Sequence, residues 1–365
     1  MNVRMHRQAA GTTAAPTGRQ QNWLHRSSVT RPTLAALGLL TAGALLAGCS
    51  AGGPPSGQSG SEGTQSESAA PAEQASGTVT IEDNHGQIEV PVNPERVVAL
   101  DNTTFQTLSD WGVELAAAPK GVMGQLWPEY TQNEAVLDVG NHGEPNLEAV
   151  IEADPELIIG GYRFAKYYDD LKKIQPVTIE INAREGEDHV AEMKRQAQIL
   201  GQIFDREQEA QELATQLDQS ISEAKSAYNG EDTVVGLITS GGKIAYAAPG
   251  EGRGVGLLFP TLGLKPGIEQ AAEDTSHGDE ISVEAIAQAN PEWLVVLDRD
   301  GALEVDDYVP AKELIEQSEA LKEVPAVKKG QIIYLDPNFY LDEGIQAYTK
   351  LFNQVAEQFA AAQKG

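Results

Sequence analysis

Cysteine is almost absent: one residue in 365, Cys49. That excludes an intrachain disulfide framework and any multi-cysteine zinc or iron–sulfur site. Cations are scarce as well, with 26 Lys+Arg against 54 Asp+Glu and a formal charge of −28. Such a chain lacks the clustered cations that nucleic acid or an anionic membrane surface requires. The imbalance is uneven, because residues 1–49 hold five arginines and no acid; the remainder carries 21 cations against 54 anions, a formal −33. No Gly-x-Ser-x-Gly elbow, His-Glu-x-x-His helix or P-loop occurs, so the common sequence signals of hydrolases and nucleotide-binding enzymes are missing. The apolar run at 34–48 is too short for an ordinary membrane-spanning helix. With 41% hydrophobic residues, what remains can still bury a core.

The one cysteine follows that short apolar run, which itself follows a basic segment. This order reads as a secretory leader over residues 1–48. No twin-arginine pair is present, which favours the general secretory route. The tetrad Leu46-Ala47-Gly48-Cys49 resembles the bacterial lipobox, which implies that Cys49 is lipidated and becomes the mature N-terminus. Residues 49–77 are dominated by Gly, Ser, Pro, Gln, Ala and Glu. Such a segment cannot offset its ordering entropy by burial and is expected to be a flexible tether. The expected location is the outer face of the bacterial cytoplasmic membrane, held by lipid.

From about Thr78 the pattern becomes α/β. Short apolar runs (Arg96–Leu100, Leu157–Ile159, Val234–Ile238, Leu294–Leu297) alternate with helix-like segments, which favours largely parallel sheets with helices outside. An internal repeat sharpens this. Residues 146–159 (NLEAVIEADPELII) align without gaps on residues 282–295 (SVEAIAQANPEWLV) at an offset of 136. Each copy reads as capped helix, Asp/Asn-Pro-Glu turn and buried strand. Val97–Leu100 lies on Val234–Leu237 at an offset of 137. The fold expected is two similar α/β lobes, residues 78–204 and 232–365. Between them, 205–231 predicts one long connecting helix, with Asp205 and Gln208 as a capping box and Ala210, Leu213, Leu217, Ile221 and Ala224 on one face. Ligands of open α/β sheets gather at the carboxyl ends of strands, so the cleft between the lobes is the expected site. Arg163 and Arg299 end the repeated strands, again 136 apart, and Arg253 sits in the glycine-rich loop Gly250–Gly256. That loop fits neither dinucleotide nor P-loop spacing; its glycines predict close backbone approach to a bulky ligand. Only seven arginines follow Cys49, and Arg96, Arg184, Arg195 and Arg206 suit structural or surface roles.

The lipobox, the tether, Asn93-Pro-Glu-Arg-Val-Val98, the two Asp/Asn-Pro-Glu units and the single joining helix together resemble the substrate-binding lipoproteins of ABC importers. The subgroup is the helical-backbone type serving iron–siderophores, haem and vitamin B12. The resemblance covers nearly the whole mature chain. It implies a binding protein rather than an enzyme, with no intrinsic cofactor, expected to be monomeric and to deliver its ligand to a permease dimer with its ATPase. Thr275-Ser-His-Gly278 resembles a Thr-His-Gly segment of catecholate-siderophore binders, and Tyr340 their Tyr-Leu tyrosine. This implies Arg163, Arg253 and Arg299 as contacts to ligand charge, and His277 and Tyr340 as direct iron(III) ligands. It also implies Glu148 and Glu284, equivalent in the two repeats, as permease-docking residues; as helix-start acids they equally suit the macrodipole.

The chemistry is consistent with a ferric siderophore carrying catecholate or mixed catecholate donors. Iron(III) favours anionic oxygen, and guanidinium groups stay charged and stack on aromatic faces. His142 precedes the first repeated helix much as His277 precedes the second, which makes it a ligand-binding candidate. Tyr162 is another, and Tyr167, Tyr168 and Trp127 are further candidates for an aromatic wall. Asp342 and Glu343 follow Tyr340 where the family has small residues; facing inward they would repel an anionic ligand. Haem or corrinoid capture is the alternative within this fold, free zinc or manganese would want several His and carboxylates, and a secreted enzyme is the remote alternative.

Overall fold

The computed structural model describes residues 77–364 except 142 and 304. The leader, Cys49, nearly all of the tether and His142 lie outside the described residues. A hairpin, β1 (Thr78–Asp83) and β2 (Gly86–Pro91), precedes two central sheets. The first sheet holds β3 (Val97–Ala99), β4 (Leu115–Ala118), β5 (Leu137–Asp138), β6 (Leu157–Gly160) and β7 (Thr178–Glu180). Its order is β5-β4-β3-β6-β7 and every pairing is parallel. β3 and β6 are buried along their whole length, as continuous apolar runs covered by helices on both faces must be.

The second sheet holds β8 (Thr233–Ser240), β9 (Lys243–Tyr246), β10 (Lys265–Pro266), β11 (Asp279–Glu280), β12 (Trp293–Asp298) and β13 (Ile332–Tyr334). Its order is β11-β9-β8-β12-β13, with β10 on the start of β8. β8, β12 and β13 run parallel, while β9 pairs antiparallel with both β8 and β11. The second lobe therefore has a mixed sheet.

The repeat folds alike in both lobes. Asn146 Oδ1 accepts from the Glu148 and Ala149 N–H groups, and Ser282 Oγ from that of Ala285, capping helices Leu147–Glu152 and Val283–Ala289. Asp154 and Asn290 both adopt left-handed φ, 44° and 51°, before their prolines, a conformation these side chains tolerate.

The capping box expected at Asp205 is corrected. Asp205 is left-handed (φ 54°, ψ 49°) and closes helix His189–Phe204, its N–H donating to Gly201 O. An N-cap needs extended backbone, so the next helix starts at Glu207 and ends at Ala227, 21 residues or about 31 Å. Its buried face is Ala210, Ala214, Leu217, Ser220, Ile221 and Ala224, with Leu213 only partly covered. This helix, expected to join the lobes, buries its apolar face in the core under the second sheet, where it packs against helix Ile345–Ala362, whereas helix His189–Phe204 belongs to two cores. Met193 and Ala197 pack in the core under the second sheet, while Ile199, Leu200, Ile203 and Phe204 pack under the first.

Candidate ligand-binding site

In each lobe the strand order reverses between two parallel neighbours, β3/β6 in the first and β8/β12 in the second. Such switch points leave a crevice at the strands' carboxyl ends. Past β6, Gly161 (φ 99°) turns the chain and presents Tyr162 and Arg163. Arg163 Nε donates to Asn102 Oδ1 (3.2 Å), just beyond β3. Past β12, Arg299 Nη1 donates to Ser240 Oγ (3.2 Å), the last residue of β8. Each arginine thus reaches from its own strand end to that of its neighbour.

Arg253 arrives by another route. Its loop follows β9, and its N–H donates to Thr275 O (2.9 Å). Gly250, Gly252 and Gly254 of the loop line a cavity, Gly250 with open space about it, and the latter two also admit close packing of the protein itself. A Cβ on Gly252 would meet the Ala248 nitrogen at 2.7 Å, and one on Gly254 (φ 64°) would strike the Phe339 ring. This tight coil delivers a buried guanidinium. Arg253 Nε donates to Glu343 Oε1 (2.8 Å) and Nη2 to Glu343 Oε2 and Tyr340 O. Its centre lies 3.8 Å from the centroid of the Tyr340 ring, and that of Arg299 lies 5.4 Å from the same ring. Arg299 Nε also donates to Tyr340 Oη (3.2 Å). Glu343 completes the cluster, accepting from Tyr162 Oη (3.2 Å) and lying 3.9 Å from Arg163 Nη2.

The electrostatics follow from this packing. Burial disfavours charge on Arg253, but Glu343 together with Tyr162 and Tyr340 outweighs it and the net shift is upward. Burial of the Tyr162 hydroxyl raises its pKa, and Glu343 raises it further. Burial pushes Asp101, behind Asn102, to about 6, against hydrogen bonds from Thr103. Asp342 is likewise raised to about 6 by burial.

The cavity, of about 290 Å³, is lined by Tyr162, Arg253 and Glu343 of this cluster together with His189, Thr275 and Tyr348, whereas Arg163, Arg299 and Tyr340 do not line it. His189 and Tyr348 escaped the sequence reading. Their rings meet edge to face at 5.5 Å; burial lowers the His189 pKa and raises that of Tyr348. They lie on helices 159 positions apart in sequence, and only the packing of those helices brings them to the cleft. The one available signal was that His189 follows the helix-capping Asp188.

Other candidates fall elsewhere. His277 is exposed, its Nδ1 3.1 Å from Asp274 Oδ2, and does not line this cavity, although its neighbours Thr275 and Ser276 do. Among the described residues no cluster of three or more His, Cys, Asp or Glu is placed to hold a metal ion. Of the other aromatic candidates, Trp127 packs edge-on against Phe105, Tyr167 donates to Gly143 O and Tyr168 stacks on His85. Exposed Arg184 and half-buried Arg195 take structural roles at the surface: they clamp buried Glu192, holding its carboxyl at about 2, chiefly through Arg184. Arg96 is structural, bound to Asp154 O and Glu156. Glu148 and Glu284 are exposed at the starts of their repeated helices and form no ion pair with another described residue.

The partly exposed Arg163 and Arg299 flank the buried Arg253, a set of planar cations suited to a flat, aromatic, anionic ligand. A family model described as periplasmic binding protein matches residues 97–339. The petrobactin-binding protein YclQ of Bacillus subtilis is 31% identical over 274 residues, 74% of this chain and 84% of that protein. The ferric-anguibactin-binding protein FatB of Vibrio anguillarum is 29% identical over 260 residues, 71% and 80% of the two chains. Among solved structures, YclQ superposes with a TM-score of 0.67 at 28% identity, covering 78% of this chain and 99% of that one. The catecholate-siderophore-binding protein VctP of Vibrio cholerae gives 0.65 at 25% identity, covering 76% and 99%.

Proposed function

Since the chain belongs to the periplasmic binding protein family, we propose that it captures a ferric siderophore outside the cytoplasm and delivers it to an ABC importer for iron uptake. The observation that carries this reading is the convergence of Arg163, Arg253 and Arg299 from both lobes on Tyr340 and Glu343. Permanently charged, planar guanidinium groups suit an anionic complex with aromatic catecholate faces. Relatives that bind petrobactin, ferric anguibactin and a catecholate siderophore support the same ligand class. The iron travels as cargo within the ligand, and no resident cofactor is needed.

Within this reading Arg163, Arg253 and Arg299 hold ligand charge, and Tyr162 and His142 add contacts. Tyr340 reaches the iron through its phenol oxygen, now hydrogen-bonded to Arg299, and His277 does so after releasing Asp274. Cys49 carries the lipid that holds the protein to the membrane's outer face. The protein works as a monomer, and Glu148 and Glu284 dock one on each permease subunit, which the ATPase then drives. It binds and does not turn over its ligand.

Fluorescence quenching with a panel of ferric siderophores, haem and cobalamin tests the proposal. Saturable quenching by ferric catecholates, weakened in Arg299→Ala, is expected. Flat responses to all ferric siderophores alongside tight haem or cobalamin binding would overturn it.

A further inference from the structure

Three guanidinium groups would match a tris-catecholate complex of formal charge −3, iron(III) with three dianionic catecholates, if they stood alone. They do not. Glu343, only 7% exposed, is the one acid among the described residues that pairs with arginines of both lobes, Arg253 and Arg163. Arg299 is paired with buried Asp300, Nη1 to Oδ1 at 3.2 Å. The cluster's formal charge is therefore near +1.

Glu343 is also held in place by the backbone. It has left-handed φ (54°), unusual for this residue, and Gly344 follows it against Thr103 of the first lobe, where a Cβ would meet the carbonyl oxygen at 2.8 Å. Tyr162, which donates to Glu343, is left-handed too (φ 48°). Strained backbone on both sides of one contact persists where the surroundings fix it, often at functional positions.

Resting on the ferric-siderophore reading, we propose that Glu343 is a specificity-determining residue that stays seated in the loaded cleft and selects ferric complexes of low negative charge. The cost of removing an ion from water grows with the square of its charge, whereas its attraction to a fixed site grows only in proportion. A +1 cluster matches a ferric bis-catecholate, formal charge −1, and leaves a tris-catecholate buried with two uncompensated charges.

The test measures quenching affinities for a ferric bis-catecholate and a ferric tris-catecholate at one ionic strength, in the wild type and in Glu343→Gln. The substitution keeps the side chain's shape and removes its charge. The wild type should bind the monoanion at least about tenfold more tightly. Because the logarithm of the gain scales with ligand charge, a gain of about threefold for the monoanion in Glu343→Gln should accompany one of about thirtyfold for the trianion. Equal or tighter wild-type binding of the trianion overturns the proposal, and this comparison suffices if the variant fails to fold. So does a variant that shifts both affinities by the same factor. If neither complex binds at all, the ferric-catecholate reading on which the proposal rests fails; if both bind equally, only the role of Glu343 does.

Discussion

The two lobes share a capped helix, a left-handed Asp/Asn before proline, and a buried strand, yet they supply the site differently. In both, an arginine just past that strand reaches to its neighbour's end, Arg163 to Asn102 and Arg299 to Ser240. Only the second lobe carries the antiparallel pair β9/β11, and the coil after β9 delivers Arg253. The repeated part thus contributes two partly exposed, near-equivalent charges. The added part contributes the buried one that grips Tyr340 and Glu343. Symmetry sets where the cleft lies, and the departure from symmetry furnishes its anchor.

The largest expected effect concerns the exposed starts of the two repeated helices. Glu148→Ala with Glu284→Ala should abolish iron uptake by cells while leaving ligand affinity unchanged, and each single variant should lose a similar fraction. Weakened ligand binding would remove these residues from the docking role. At the cleft, Arg253→Ala should cost about a hundredfold in affinity by fluorescence titration. It should also cost about 3–5 kcal/mol in stability, because Glu343 would be left buried without its main partner. Arg163→Ala and Arg299→Ala should each cost about tenfold, within about threefold of one another, as charge-assisted contacts of partly exposed groups do. A large inequality between them would break the equivalence argued above.

The smallest effect is one of stability. Burial raises Asp342 from 3.8 to about 6, so the folded protein holds that proton more tightly than the unfolded chain. The sign is therefore destabilising at high pH: the cost is absent below about 4, grows through about 6 and is complete above about 7. Asp342→Asn should raise Tm at pH 7.5, with a gain on the order of 1–3 kcal/mol, and leave it nearly unchanged at pH 4. An equal gain at both pH values would assign the effect to something other than the charge.

The repeat made Arg163 and Arg299 legible, because both follow equivalent strands, three residues past β6 and directly past β12, and strand ends face the cleft. Arg253 stood out through its glycines, which line the cavity and also let the coil pack on itself. Glu343 was visible as an acid near the mouth. Its sign was misleading, since sequence shows a charge and not the guanidinium it neutralises. His189 and Tyr348 could not be read, because they sit on faces of helices whose packing partners lie far away in the chain. Asp205 misled for a local reason: an acid three positions before a glutamine marks a helix start, and the same acid closes a helix when the backbone turns left-handed. The antiparallel β9/β11 pair was too short to register, with β11 only two residues long.

Helix His189–Phe204 serves both cores at once, so the lobes cannot swing apart without tearing apolar side chains from one of them, each worth about 1.5–3 kcal/mol. On the proposed docking, empty and loaded protein should then expose Glu148 and Glu284 almost alike. The transporter would be handed decoys whenever carrier outnumbers cargo. Overproducing the protein under iron scarcity should therefore slow uptake rather than speed it, and the rate should peak where carrier and ferric ligand are near parity.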